Sequence, residues 1–375
     1  MAHSSPNRRQ FSIAAAALLG LPAVRAQEGR LVLGQFAPFT GPAAQLGIQY
    51  HSGARLYFDQ LNAQGGMGGR SIVIRTMDDG YEPERCAENT RKLLSEDVFA
   101  LFAYVGTPTS LAALPLATRA QVPFIAPFTG AMALREPLQK NVFHLRASYN
   151  DETALIVKQL THLGLKKIAV FHQNDAYGQA GLDGVRLALA AQNLKPVATA
   201  TVERNSVDVA KAVATLAAAA PDAVVQVSAY KSCAAFVRAA RKAGYGGLFY
   251  NVSFVGTQAL ADELGKEAEG VVVSQVVPSP YNAANGITRE FVAAAKKAGN
   301  VQVNYSSMEG YLAARLFAEG LKRASKPTRE GLVAGLESLG ETAFGGFQVS
   351  LSPTRHVASR FVELSMLKGD GRVLA

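Results

Sequence analysis

Two short apolar runs, each closed by a loop of small hydroxylated residues, constrain this chain more than any other stretch. Residues 99–104 lead into Gly106-Thr107-Pro108-Thr109-Ser110, and residues 122–126 lead into Pro127-Phe128-Thr129-Gly130. Between the loops, Leu111, Leu114 and Leu116 recur on one face, which predicts a helix over 110–120 with Ser110 as its N-cap. Strand, loop, helix and strand make a βαβ unit, whose crossover sets the two strands parallel in one sheet. Parallel sheets gather ligands beyond the carboxyl ends of their strands, where a helix start offers free N–H groups. Thr107 and Thr129, one in each loop, are therefore candidate donors to a small polar ligand. Helix capping is the plainer role for Thr107 and Thr109, but two such loops on neighbouring strands point towards a site.

The same alternation extends in both directions. Residues 30–36 read as a strand buried on both faces, followed by a helix over about 48–63 with Ala54, Leu56, Tyr57, Phe58 and Leu61 in its stripe. Gly65-Gly66-Met67-Gly68-Gly69 breaks that helix, and 71–76 is the next strand. Asp78-Asp79-Gly80-Tyr81 is a turn and 83–95 a helix. A second series begins near Ser148, with helices over 151–163, 207–219 and 232–243 alternating with strands at 166–171, 195–201, 223–227 and 248–251. A short helix at 259–265, a strand at 270–277 and helices at 286–298, 306–324 and 328–339 follow. Strands at 346–351 and 356–367 read as an antiparallel finish. The pattern predicts an α/β protein with two doubly wound parallel-sheet lobes.

Composition narrows the function classes. At 375 residues the chain has room for two domains of ~150 residues each. Its net charge of +9 includes Arg8, Arg9 and Arg25 in an N-terminal segment without acids, and the rest is scattered. No basic stripe argues for nucleic acid as a partner. Cys86 and Cys233 are far apart, each in a helical pattern, and are expected to be buried free thiols. His144, His162 and His172 have no Cys or carboxylate at ligand spacing and read as surface or strand-end residues, so neither a metal nor another cofactor is expected. Arg8-Arg9, an apolar run over 11–21 and Pro22-Ala23-Val24-Arg25-Ala26 have the form of a secretory signal cut near Ala26, with a twin-arginine route as the alternative to general secretion. The expected location is the periplasm, without stable membrane insertion.

The residues Phe39-Thr40-Gly41-Pro42, Leu46-Gly47, Gly53, Asn62-Ala63-Gln64-Gly65-Gly66, Gly69-Arg70 and Asp78-Asp79 together resemble the start of a periplasmic leucine/isoleucine/valine-type binding protein. The resemblance continues through residue 375 and implies the type I periplasmic binding fold, its lobes joined by a hinge that the chain crosses several times. It implies a first lobe of 27–147 plus 277–353 and a second of 148–276 plus 354–375, after a signal over 1–26. It implies a monomer that captures a branched-chain amino acid, an amide or a related acid between closing lobes and delivers it to the membrane subunits of an ABC permease. A receptor that reports to a membrane kinase or regulator is the alternative on the same scaffold.

The resemblance also implies site positions. Gly106, Thr107, Phe128, Thr129 and Gly130 stand where the first lobe holds a ligand's head group, with Phe128 supplying a carbonyl and Gly130 an N–H where relatives often have Thr. Gln45 and Leu46 stand at a wall. Tyr177, Ser228 and Tyr230 stand at second-lobe contacts, and Ser253 stands where amino-acid binders carry an acid for the ammonium. An ammonium enclosed without a carboxylate is poorly compensated, so Ser253 shifts the expectation towards an amide or an aromatic or aliphatic carboxylate, unless Asp175 or another acid takes the role. No catalytic role is expected: Asp78-Asp79 matches a structural turn, Glu309 reads as dipole matching or hinge packing near a helix start, and no nucleophile-elbow, Walker or dinucleotide motif occurs in a strand–turn–helix setting.

Overall fold

A computed structural model of the chain describes residues 1–3 and 29–374. Residues 8–26, which carry the expected export signal, lie outside them. The apolar strand β1 (Arg30–Ala37) pairs in parallel on both sides, with β2 (Ser71–Asp78) and β3 (Ala100–Phe102). β4 (Phe124–Ile125) and β5 (Val142–Phe143) complete a five-stranded parallel sheet in the order β2-β1-β3-β4-β5. The helices between these strands are α1 (Ala44–Ala63), α2 (Pro83–Ser95) and α3 (Thr107–Arg119).

After β5 the chain enters the second lobe through α4 (Tyr149–His162), which opens with a capping box between Ser148 and Asp151. The strands β6 (Ile168–Gln173), β7 (Thr199–Val202), β8 (Ala223–Val227), β9 (Leu248–Asn251) and β10 (Val272–Gln275) alternate with α5 (Ala176–Ala190), α6 (Ala210–Ala218), α7 (Tyr230–Lys242) and α8 (Thr257–Leu264). The chain then returns to the first lobe with α9 (Gly286–Ala298), α10 (Tyr305–Arg323) and α11 (Arg329–Glu337). Backbones of α1 and α10 meet: a Cβ on Gly53 would lie 1.7 Å from the Ser307 carbonyl oxygen, and one on Gly310 would lie 2.0 Å from that of Tyr50.

The last segment departs most from the sequence pattern. β11 (Gly340–Phe344), which periodicity did not signal, pairs antiparallel with β12 (Phe347–Leu351) across Gly345-Gly346. The expected strand over 356–367 is ordered as β13 (Glu363–Leu367) alone, antiparallel to β10, and β14 (Val373–Leu374) follows it. The second sheet therefore has seven strands in the order β14-β13-β10-β9-β8-β6-β7. His144, expected at the surface or a strand end, is buried just past β5, with its ring Nε2 3.1 Å from the Leu134 carbonyl oxygen. Both cysteines are buried free thiols, near the carbonyls of Thr109 and Ser228.

Candidate functional site

The crossing from β5 to α4 carries Arg146, whose side chain is only 1% exposed and forms a buried floor where the two lobes meet, between Ser253 and Glu309. A buried guanidinium requires counter-charge and acceptors. Its Nε lies 3.0 Å from Glu309 Oε1 on α10, and Nη2 donates to Glu309 Oε2 at 3.2 Å and to Ser253 Oγ at 2.6 Å. The Phe128 ring lies 4.4 Å beneath it, a cation–π contact. Glu152, in the first turn of α4, accepts from the Ser253 N–H at 2.7 Å, the Ser274 hydroxyl at 2.6 Å and the Ser253 hydroxyl at 3.1 Å. Burial pushes the Glu309 carboxyl up to about 7 against the pull of Arg146, and raises Glu152 against Arg146 and the same serines. Burial alone would lower the Arg146 guanidinium, but Glu309 and then Glu152 outweigh it and hold it above its ordinary value.

Around this floor aromatic rings from both lobes pack on one another. Phe128 packs on Tyr50 at 4.6 Å and on Phe254 at 5.5 Å between centroids; Phe254 in turn meets Tyr177 at 4.6 Å and Tyr81 at 6.0 Å. Tyr149 stands 5.4 Å from Tyr177. Two glycines make room for these rings. Gly106 adopts φ +106°, a left-handed conformation, and a Cβ there would fall 2.3 Å from the Tyr81 ring. A Cβ on Gly130 would fall 2.5 Å from the Tyr149 ring and 2.7 Å from its backbone nitrogen.

Thr107 Oγ1 and Thr129 Oγ1 are 2.6 Å apart, so one proton joins them and one hydroxyl hydrogen stays free to donate. The buried Arg146 Nη1, Tyr149 hydroxyl, Ser228 hydroxyl and Ser110 hydroxyl have no hydrogen-bond partner. Of the two carboxylates on the floor, Glu152 already accepts three hydrogen bonds and Glu309 is paired with Arg146. Of the groups left over, Arg146 Nη1 can only donate, while the hydroxyls can donate or accept.

The expected residues fall into three sets. Thr107, Thr129, Gly106, Gly130, Phe128, Tyr177 and Ser228 come together around the rings. Leu46 reaches across the cleft to Gly256, where a Cβ would lie 2.5 Å from its Cδ2. Gln45 is exposed, and its backbone meets the Tyr230 hydroxyl of the other lobe. The Phe128 carbonyl, expected to receive an ammonium, accepts from Gly106 N–H at 3.2 Å. Ser253 is wedged between Arg146 and Glu152 instead of standing without an acid. Asp175, the acid offered as a substitute, caps α5 through the Tyr177 N–H and pairs with Arg204 at 3.3 Å. Helix α3 starts at Thr107, not Ser110, because Gly106 turns the chain and Pro108 occupies a first-turn position that has no need of an N–H. Asp78 ties Phe39 and Thr40 to the turn, and Asp79 receives the Tyr81 N–H, so this pair is structural. Among the described residues no group of three or more His, Cys, Asp or Glu side chains is placed to hold a metal.

A family model described as periplasmic binding protein matches residues 31–372. This chain belongs to that family. The binding protein is 34% identical to a possible leucine/isoleucine/valine-binding protein from Rhodopirellula baltica, with a TM-score of 0.88 over 92% of this chain and 96% of that one. It is 25% identical over 369 residues to Leu/Ile/Val-binding protein homolog 7 of Brucella suis, covering 91% of this chain and 90% of the relative. A solute-binding protein of an ABC transporter from R. palustris, solved in complex with benzoate, is 25% identical with a TM-score of 0.81 over 92% of this chain and 95% of that one. These relatives are solute binders and not enzymes, and the fold they share is the type I periplasmic binding fold. Among the described residues no helix is long and apolar enough to cross a membrane.

The floor of this binding protein was not visible as a site in its sequence. Arg146 follows Val142-Phe143-His144-Leu145, and Glu309 sits in α10 where almost every neighbour is buried. A lone charge inside a segment apolar on all sides signals a buried partner, but nothing local says that the two belong to each other across 163 positions.

Proposed function

We propose that this binding protein is the extracytoplasmic receptor of an ABC importer and that its cargo is a small organic carboxylate with an apolar, ring-sized body. The unpartnered Arg146 Nη1 carries this reading. Arg146 Nη1, which can only donate, and the hydroxyls of Tyr149 and Ser228 are buried without a partner, and a carboxylate would supply acceptors to them. The rings of Phe128, Phe254, Tyr81 and Tyr177 would take the apolar body. Contacts to both lobes favour the closed form, which the permease would read. The benzoate carried by the R. palustris relative fits the same chemistry. A leucine-like amino acid is the second reading, supported by the names of the relatives from Brucella suis and Rhodopirellula baltica and by the two acids on the floor.

A thermal-shift panel of benzoate, 4-methyl-2-oxopentanoate, leucine, valine and short amides, confirmed by calorimetry, separates the readings. A ligand at ~100 times its dissociation constant stabilises by roughly 2.7 kcal/mol. Binding of the acids without the amino acids is expected. Leucine or valine binding more tightly than both acids would overturn the carboxylate reading.

A further inference from the structure

Resting on the carboxylate reading, we propose that the ligand's carboxylate and Glu309 share the single guanidinium of Arg146, and that loading the cleft transfers a proton from solvent onto Glu309. Arg146 leaves Nη1 without a partner while its other edge holds Glu309. Its surroundings are crowded with charge. Glu152 and Tyr149 face it from α4, Tyr50 from α1, and Arg135 faces Glu309 from the turn after β4. Arg135 directs Nη1 and Nη2 to the carbonyls of Ala131, Thr129, Arg146 and Ala147, so it stands behind Arg146 as a second buried positive charge and hydrogen-bonds neither carboxylate.

An incoming carboxylate would place a third anion on a buried floor that holds two guanidinium charges, Arg146 and Arg135. Like charges at such range do not all stay ionised, and the least supported one protonates. Glu152 is supported by three donors from Ser253 and Ser274, whereas Glu309 has only Arg146, the group the ligand takes. Glu309 is therefore the acceptor of the proton. Its carboxyl is already held near neutrality, at about 7, by burial. The charge of the floor is then unchanged by loading: one negative charge enters with the ligand and one is removed by the proton.

The test is calorimetry on the purified protein at about pH 8, above the Glu309 value, in two buffers of different ionisation enthalpy, with benzoate and 4-methyl-2-oxopentanoate as probes. Uptake close to one proton per bound acid is expected, with affinity falling about tenfold for each pH unit above neutrality. Glu309→Gln should bind the acid without proton uptake and without that pH dependence. Binding of an acid with no proton uptake in the wild-type protein overturns the proposal and leaves the carboxylate reading standing. Failure of both acids to bind, with an amino acid or amide binding instead, removes the reading and the proposal with it. Equal uptake in the wild type and in Glu309→Gln assigns the proton to another group and also overturns it.

Discussion

At the floor of the cleft, the side chains of Arg146 and Glu309 are 1% and 3% exposed, whereas at the rim Arg204 and Glu82 keep 23% and 39% of their surface. Both pairs join elements far apart in sequence, yet the surroundings give them different weight. The floor is buried, and removing one partner strands the other's charge away from bulk solvent. At the rim, Arg204 Nη2 reaches Glu82 at 2.9 Å, and Asn205 Nδ2 donates to the Gly80 carbonyl at 3.1 Å and to Glu82 at 2.8 Å, all within reach of water. Water and salt compete for such contacts, so they add little to stability and break readily. On the proposed reading the floor would select the ligand and the rim would time its release.

Arg146→Met tests this contrast most severely. It leaves Glu309 and Glu152 buried without their cation, and a loss of about 3–5 kcal/mol in urea unfolding is expected. The double variant Arg146→Met/Glu309→Leu should recover most of that loss, since replacing a whole buried pair by apolar side chains is close to neutral. A single variant that loses under ~1 kcal/mol would show that the floor behaves as a surface pair.

The second test is pH. Glu309 is raised from 4.5 to about 7, so it binds a proton more tightly folded than unfolded. Its contribution to stability is fully present below 4.5 and is lost as the pH rises through 7, on the order of 3 kcal/mol in all. Asp79 and Glu152 are also raised by burial and act in the same sense, so the difference between wild type and Glu309→Gln isolates this one group. The difference should grow between those two pH values and level off above them. A constant difference over that window would mean that Glu309 stays ionised in the folded protein.

Ser253→Ala comes third. It removes the hydroxyl that accepts from Arg146 and donates to Glu152, while the Ser253 N–H bond to Glu152 remains. A loss of about 1–3 kcal/mol is expected, with weaker binding of acids. An unchanged unfolding midpoint would show that a neighbouring group replaces the hydroxyl on both sides.

How much of this was legible beforehand follows the range over which each feature acts. The turn at 127–130, the Asp78 turn and the burial of both cysteines agree with the sequence reading, whereas the loop expected over 106–110 is already the first turn of α3 beyond Gly106. The hairpin β11–β12 was half read, because Gly345-Gly346 disguised a turn as the start of a strand. The floor was misread at Ser253. A missing acid at one position says nothing about an acid delivered from 101 positions away, and Glu152 arrives there on α4. Tyr149 and Phe254 were passed over for the same reason: they look like helix-start and loop apolar residues until the two lobes bring their rings together.

The rim gives the smallest effect and the sharpest contrast. Glu82→Gln removes the charge that Arg204 meets across the cleft but leaves Arg204 paired with Asp175 at 3.3 Å within its own lobe. Stability should change by under ~1 kcal/mol, and release of a bound acid should quicken by about two- to five-fold. Because the lost attraction is between partly solvated charges, about 0.5 M salt should quicken release from the wild type and leave the variant nearly unaffected. Stopped-flow displacement at low and high salt reads both numbers. If the wild type is as insensitive to salt as the variant, the rim does not time release, and the floor alone must hold the lobes together.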